Sequence, residues 1–171
     1  MVSESEPVVL ARASLHNFLD KATILPVPDH LADVLVGRAG VFVSLKKHNR
    51  LRGCIGTFAP TRPSIASEII YNAISAGTAD PRFEPVKLGE LSEIDISVDI
   101  LGAPQPIDSI DKLDPHKYGV IVKNGRRSGL LLPMLEGVDT VDEQLSIAME
   151  KAGIGREEEI ELYRFTVVRY K

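Results

Sequence analysis

The only cysteine of the chain, Cys54, lies in the segment LRGCIG, between two glycines and two positions after Arg52. Side chains two positions apart in a strand share a face, so Arg52 and Cys54 would lie side by side. A fixed positive charge beside a thiol favours the thiolate, which is the nucleophilic form. The segment therefore predicts a reactive cysteine at Cys54, with Arg52 activating the thiol or holding an anionic substrate.

The neighbours of the cysteine have little or no polar character. Gly53 and Gly56 lack a side chain, which lets a ligand or another backbone approach closely, and with Ile55 they are predicted substrate-binding positions. A structural interpretation of the same residues stays open. Single cysteines are often buried, and glycines in strands often mark bulges or close packing.

A second polar motif, TADPRF, brings Asp80 and Arg82 into a turn directly after a predicted helix. One interpretation makes them a polar clamp at the rim of a substrate site. The other makes Asp80 a cap of the turn and Arg82 half of a surface ion pair. The segment KNGRR, with Lys123, Arg126 and Arg127, would form a basic hairpin tip that could contact phosphate or RNA.

The overall charge limits the classes of function. With 20 basic and 24 acidic residues the net charge is -4, which argues against extended binding of nucleic acid. One cysteine cannot form an internal disulfide, and neither a leader segment nor a membrane span is recognisable, so we expect a cytoplasmic protein that does not enter a membrane. The four histidines are scattered, and no phosphate-loop pattern occurs, so we predict neither a metal site nor a cofactor.

Apolar periodicity and turn residues divide the chain into elements. The predicted elements are a helix over 3–23, a β-hairpin over 40–58, a helix over 63–76, a strand over 93–101, a hairpin over 118–133 around Asn124-Gly125, a helix over 140–152 and a strand over 162–170, with a proline-rich loop over 102–115. This order is not a regular alternation of strand and helix. It predicts an α+β fold with a mostly antiparallel β-sheet covered by helices.

Several stretches in the same order, among them GVFVSLKK, LRGCIGTF, TADPRFEPV, EIDISVDIL and KYGVIVKNGRRSGLLLP, resemble the AMMECR family over nearly the whole chain. The family takes its name from a chromosomal region linked to Alport syndrome, midface hypoplasia and elliptocytosis. The resemblance implies an α+β fold with a main antiparallel sheet and a smaller lobe. It also implies one AMMECR-like domain over 1–171, as a single body or as two intertwined lobes.

The resemblance implies no settled biochemical activity, so whether the protein is an enzyme stays open. Prokaryotic relatives accompany a Memo-like protein and a radical-SAM enzyme, which implies a shared modification pathway and these two proteins as partners. We therefore expect an enzyme or a substrate-binding component of that pathway, acting through Arg52 and Cys54 on a small anionic metabolite or a nucleotide. The alternative is a non-catalytic adaptor module that binds protein through the LRGCIG strand or nucleic acid through the KNGRR tip.

Overall fold

The computed structural model describes residues 3–171. The elements, in chain order, are α1 (Glu6–Lys21), α2 (Asp33–Val36), β1 (Val41–Lys47), β2 (Arg50–Thr57), α3 (Ile65–Thr78), β3 (Ile94–Leu101), β4 (Gln105–Ile107), β5 (Gly119–Asn124), β6 (Arg127–Leu131), α4 (Val141–Ala152), β7 (Glu161–Phe165) and β8 (Val167–Tyr170), with short 3-10 helices at Leu88–Glu93 and Ile110–Lys112. The chain divides into two compact units: one runs to Ile100 and includes Val168–Lys171, and the other is Leu101–Val167.

The first unit contains a four-stranded sheet in the order β2-β1-β3-β8, in which β1 pairs antiparallel with both β2 and β3. Side chains along β1 alternate: Val41, Val43 and Leu45 are fully buried, whereas Phe42 and Ser44 on the other face are half-buried. The buried face joins the core that α1 and α3 supply. Helices therefore pack on one face of this sheet, and the other face is helix-free and carries polar side chains.

The connection between β1 and β2 confirms the predicted first hairpin. His48 and Asn49 form a two-residue turn, and both have positive φ angles of 50° and 63°, as a type I′ turn requires. A β-bulge then interrupts the pairing: Leu45 lies opposite Gly53, but the next residue of β1 lies opposite Leu51. Arg52 is the extra residue of this bulge.

The second unit contains a four-stranded sheet in the order β4-β7-β5-β6, and α4 packs on one face of it. A capping box confirms the predicted start of α4: Thr140 Oγ1 accepts from the Glu143 amide, and the Glu143 carboxylate accepts from the Thr140 amide. Gly153, with a φ of 66°, ends the helix in the left-handed conformation that favours glycine.

The α+β class and the antiparallel pairing are confirmed, and the strands form two four-stranded sheets. Two predicted elements differ from the structure. The predicted strand 162–170 is two strands, β7 and β8, because the ladder breaks at Thr166, whose carbonyl accepts from the Gly102 amide at 2.8 Å. The predicted loop 102–115 contains β4 and a 3-10 turn. In the described residues, no helix has the length and apolar character that crossing a bilayer demands.

Candidate functional site

Cys54 lies on the helix-free face of the first unit's sheet and is half-buried. Its cross-strand neighbour is Ser44 on β1, and Ser44 Oγ lies 3.1 Å from Cys54 Sγ. Ser97 lies opposite Ser44 on β3, so the three side chains form a row across the sheet. A hydroxyl at hydrogen-bond distance can donate a proton to a sulfur anion, which stabilises the charged form.

The backbone of Cys54 is held by two side chains of the DPRF loop. β2 is an edge strand, so the outward amide and carbonyl of Cys54 have no neighbouring strand to pair with. The amide donates to Asp80 Oδ2 at 2.9 Å, and Arg82 Nη2 donates to the carbonyl oxygen of Cys54 at 3.3 Å. Asp80 and Arg82 therefore take the place of a paired strand at the position of the cysteine.

Asp80 and Arg82 form a two-point ion pair, with Nε donating to Oδ1 at 3.0 Å and Nη2 donating to Oδ2 at 2.7 Å. The Asp80 side chain is 2% exposed and the Arg82 side chain is 55% exposed. The hydrogen bond from Arg82 holds the pKa of Asp80 well below its usual value, and the Cys54 amide adds to this against the effect of burial. Asp80 is therefore a carboxylate, buried beneath a guanidinium that reaches solvent.

A second pair of the same geometry lies on the same sheet. Arg169, on β8, donates from Nε and Nη2 to the two carboxylate oxygens of Asp99 at 2.7 Å each. The pKa of Arg169 is raised first by its hydrogen bond to Asp99 and, more weakly, by the negative charge of a Cys54 thiolate. The pKa of Arg82 is likewise raised first by Asp80 and, more weakly, by Cys54. Each of these guanidinium groups is thus paired with a buried aspartate.

Arg52 makes its contacts elsewhere. Nη1 donates to the carbonyl oxygen of Glu84 at 2.7 Å, Nη2 donates to Glu90 Oε2 at 3.1 Å, and only 17% of the side chain is exposed. The Lys87 amide and the Arg52 guanidinium together lower the pKa of Glu90 to about 2. Arg52 therefore ties the bulge of β2 to the 3-10 helix at Leu88–Glu93.

The three predicted substrate-binding residues next to the cysteine divide between the two faces of the sheet. Ile55 packs against the helical core, and a Cβ at Gly53 would lie 2.1 Å from the carbonyl oxygen of Ala76 in α3. Gly53 thus permits close approach of a helix backbone. Gly56 lies on the face of Cys54, where a Cβ would meet the ring of Phe42 at 2.2 Å.

The structure brings together Cys54, Gly56, Asp80 and Arg82 of the predicted site residues, and places the Arg52 guanidinium on Glu90. Sequence reasoning missed Ser44, Ser97, Asp99 and Arg169, which complete the polar face. The alternation of EIDISVDIL did indicate that Ser97 and Asp99 point away from the core. No pattern in the sequence indicated Arg169.

In the basic hairpin tip of the second unit, one of the three cations has an acidic partner among the described residues. Arg127 forms an ion pair with Glu158, and Lys123 lies over the ring of Tyr163 at 4.8 Å from its centroid. Within residues 3–171 no group of three or more His, Cys, Asp or Glu side chains has the arrangement of a metal site.

The fold and the site together define a class of protein. It is an α+β protein that carries a half-buried cysteine on the helix-free face of an antiparallel sheet. The sequence profile of the AMMECR1 family matches residues 8–170, and the chain belongs to this family. The chain is also similar to a solved structure, that of the uncharacterised protein PH0010 from Pyrococcus horikoshii. The TM-score is 0.86 and the identity 33%, over 95% of this chain and 88% of that one.

Two relatives show how the domain occurs in longer and equal-length chains. A protein of Thermotoga maritima is 50% identical over the full length of both chains. The protein CA_C1420 of Clostridium acetobutylicum is 52% identical over 98% of this chain, but this chain spans only 36% of that protein. The domain is therefore joined to further polypeptide in the Clostridium protein.

Proposed function

We propose that Cys54 is the reactive group of a substrate-binding site on the open face of the first unit's sheet, and that the protein acts as an enzyme through it. The observation that carries this proposal is the 3.1 Å contact between Cys54 Sγ and Ser44 Oγ, on a half-buried residue whose carbonyl oxygen accepts a hydrogen bond from the Arg82 guanidinium. A hydrogen bond from the Ser44 hydroxyl favours a thiolate, and partial exposure leaves the sulfur reachable.

The chemistry is nucleophilic attack. The thiol proton leaves to solvent, the sulfur lone pair forms a bond to an electrophilic carbon of the substrate, and the electron pair of the broken substrate bond stays on the atom that is displaced. Ser44 donates its hydroxyl proton in a hydrogen bond to the sulfur anion before the attack. Gly56, two positions after Cys54, lets the Phe42 ring lie close against β2 on the face of the cysteine.

Arg52, Asp80 and Arg82 act in this proposal by positioning. Asp80 and Arg82 fix the backbone of Cys54 from the strand edge, and Arg82 also forms the rim. Arg52 fixes the bulge that sets which β1 residue faces the cysteine. Gly53 and Ile55 contribute by close packing against the helical side.

The proposed partners are a Memo-like protein and a radical-SAM enzyme in a cytoplasmic modification pathway, as the family resemblance implies. The longer Clostridium relative supports a partner polypeptide in general, because its matching part is only 36% of the chain. Co-purification of the tagged protein with each of the two partners, expressed together, tests this part independently of the cysteine chemistry.

The adaptor alternative is supported by a different observation. Leu51, near the start of β2, and Phe58, directly after its last residue, are 41% and 55% exposed, and an edge strand flanked by apolar side chains is suited to partner binding. Under this alternative Cys54 contributes shape rather than reactivity.

Alkylation of Cys54 by iodoacetamide, followed by mass spectrometry, separates these functions without ambiguity because the chain has one cysteine. A thiolate site reacts fast at and below neutral pH, and Ser44→Ala lowers the rate about tenfold through loss of a hydrogen bond to a charged group. Ser128→Ala, an exposed strand serine of β6, is the matched control and leaves the rate unchanged. A rate that rises only on unfolding, in all three proteins, supports the adaptor instead.

A further inference from the structure

Two aspartate–arginine pairs of the same construction belong to the first unit's sheet. Each aspartate, Asp80 or Asp99, has a side chain only 2% exposed. Each binds its arginine through the same edge of the guanidinium group, Nε and Nη2. Asp80 holds Arg82 at the β2 edge, and Asp99 holds Arg169 on β8, the strand at the other edge.

Such pairing fixes the orientation of a guanidinium group before any ligand arrives. A buried carboxylate that takes two N–H donors leaves the third nitrogen, Nη1, directed away from it. In the part of the chain that the structure describes, Nη1 of Arg82 and Nη1 of Arg169 have no hydrogen-bond partner. Arg82 and Arg169 remain 55% and 31% exposed, so a solvent-borne ligand can reach both.

Small side chains lie between the two arginines. Cys54, Ser44 and Ser97 cross the sheet from β2 to β3 as one row, and in the next row the Phe42 ring lies over Gly56, between Gly56 and Asp99. The row of half-buried small polar residues presents a thiol and two hydroxyl groups to a ligand on this face. Ser97 Oγ has no hydrogen bond within residues 3–171, so it too is available to a ligand.

We infer that the substrate carries an oxyanion, a carboxylate or a phosphate, which the Nη1 groups of Arg82 and Arg169 bind while the electrophilic carbon lies over Cys54. This inference rests on the proposed function for the position of the reacting carbon, but the anion site stands on the two ion pairs. Guanidinium N–H groups match the oxygen spacing of carboxylates and phosphates. The two aspartates already balance the arginine charges, so the selectivity comes from directed donors rather than from net charge.

The test compares two alkylating reagents of nearly the same shape. Iodoacetate carries a carboxylate and iodoacetamide a neutral amide, and both react with Cys54. We expect the ratio of the iodoacetate rate to the iodoacetamide rate to be about tenfold higher in the native protein than in the unfolded protein in denaturant, which is the value of one charge-assisted hydrogen bond. Inorganic phosphate, but not chloride at equal ionic strength, protects Cys54 from iodoacetate.

Two variants assign the preference to the arginines. Arg82→Gln alone would leave a buried charge on Asp80, so the double variant Asp80→Asn with Arg82→Gln is used, and it abolishes the preference for iodoacetate while iodoacetamide still reacts. Because Arg169→Gln alone would leave a buried charge on Asp99, the double variant Asp99→Asn with Arg169→Gln is used, and it lowers the preference while the pair remains neutral. Arg126→Gln, on the exposed tip of the second hairpin, is the control and changes neither rate.

The outcomes separate this inference from the proposed function. Fast alkylation by both reagents, with the ratio found in the unfolded protein, overturns the oxyanion site and leaves the reactive cysteine standing. Slow alkylation by both reagents overturns the reactive cysteine. The anion site is then decided by calorimetric titration of inorganic phosphate into Cys54→Ser: heat that the added Asp80→Asn and Arg82→Gln substitutions remove supports the site, and no heat overturns it.

Discussion

The backbone amide of Cys54 donates to the buried carboxylate of Asp80, 26 residues further along the chain, at 2.9 Å. The carboxylate thus supplies the acceptor that a neighbouring strand would supply, at the one position of β2 where the cysteine lies. Arg82 supplies the matching donor to the Cys54 carbonyl. An edge strand closed in this way keeps its geometry without a further strand, and so keeps the thiol facing Ser44.

Replacing Asp80 should destabilise the protein. Asp80→Ala leaves the Cys54 amide without its acceptor, and an unsatisfied buried donor costs about 1–3 kcal/mol. The broken ion pair with Arg82 adds little to this cost, because water can solvate the exposed guanidinium group of Arg82. Urea unfolding followed by circular dichroism measures the change, with Asp20→Ala on the exposed side of α1 as the control. Equal midpoints for Asp80→Ala and the unsubstituted protein would contradict the role of the carboxylate.

Acid should weaken the first unit in a defined range of pH. The pKa of Glu90 in the folded protein is about 2, below its ordinary value of 4.5, and the pKa of Asp80 is also lowered. A carboxylate with a lowered folded pKa contributes its full stability above the unfolded pKa and loses it as the pH falls through the folded pKa. The free energy of unfolding should therefore fall between pH 4.5 and about 2.

Glu90→Gln measures how much of the acid-dependent loss of stability comes from Glu90. The variant is less stable than the unsubstituted protein at pH 7, and the difference shrinks toward pH 2, where Glu90 itself is protonated. Unfolding midpoints in urea at a series of pH values give both curves. Parallel curves would mean that Glu90 carries no pH-dependent stability.

Gly53 and Gly89 offer a matched pair of glycine substitutions. A Cβ at Gly53 would lie 2.1 Å from the Ala76 carbonyl oxygen, which is backbone and cannot move aside, whereas a Cβ at Gly89 meets nothing within 4 Å. Gly53→Ala should cost about 1–3 kcal/mol or more through separation of β2 from α3, and Gly89→Ala should be close to neutral. Thermal unfolding of both variants distinguishes them, and a neutral Gly53→Ala would mean that the strand can shift away from the helix.

The elements with strong local signals were predictable from the sequence, but the details of the site were not. A two-residue turn at 48–49, continued without interruption, would pair Ser44 with Gly53. The bulge at Arg52 moves the register by one residue and brings Ser44 opposite Cys54. A bulge stabilised by contacts 32 and 38 residues away has no local signature.

Arg169 was missed for a related reason. Its partner Asp99 is 70 residues earlier in the chain, and the C-terminal strand reads in sequence as one continuous alternation. The chain leaves one sheet for the other at Thr166, whose carbonyl oxygen accepts from the Gly102 amide, and β8 joins the sheet that holds Cys54. Long-range strand pairing therefore places Arg169 in the same sheet as Cys54.

A single experiment should distinguish the roles of Arg52, in the LRGCIG motif, and Arg82, in the DPRF motif. Arg52→Ala lowers the free energy of unfolding, because it removes the link from β2 to Glu90 and to the Glu84 carbonyl, but leaves the preference of Cys54 for iodoacetate over iodoacetamide unchanged. Asp80→Asn with Arg82→Gln removes that preference. If Arg52→Ala abolished the preference and that double variant did not, Arg52 would be the residue that binds the anion.

The carboxylate of Glu68 should be essential for the segment that follows β2. The side chain is 1% exposed as part of α3, and it accepts hydrogen bonds from the hydroxyl groups of Thr57 and Thr61 at 2.6 Å each and from the Arg62 amide at 2.9 Å. Burial raises the pKa of Glu68, but these donors outweigh burial and the pKa lies below its ordinary value. Glu68 is therefore an anion whose two oxygens both accept.

Glu68→Gln replaces one accepting oxygen with an NH₂ group that faces other donors, which should cost about 2–4 kcal/mol, within the range for disrupting a buried, hydrogen-bonded charge. Glu136→Gln, an exposed residue of the second unit, is the matched control and should be neutral. Urea unfolding gives the cost. Hydrogen exchange at the Thr61 and Arg62 amides tests the cause, since both donate to Glu68 and should lose protection in Glu68→Gln alone. Retained protection at these amides would show that another acceptor holds the segment.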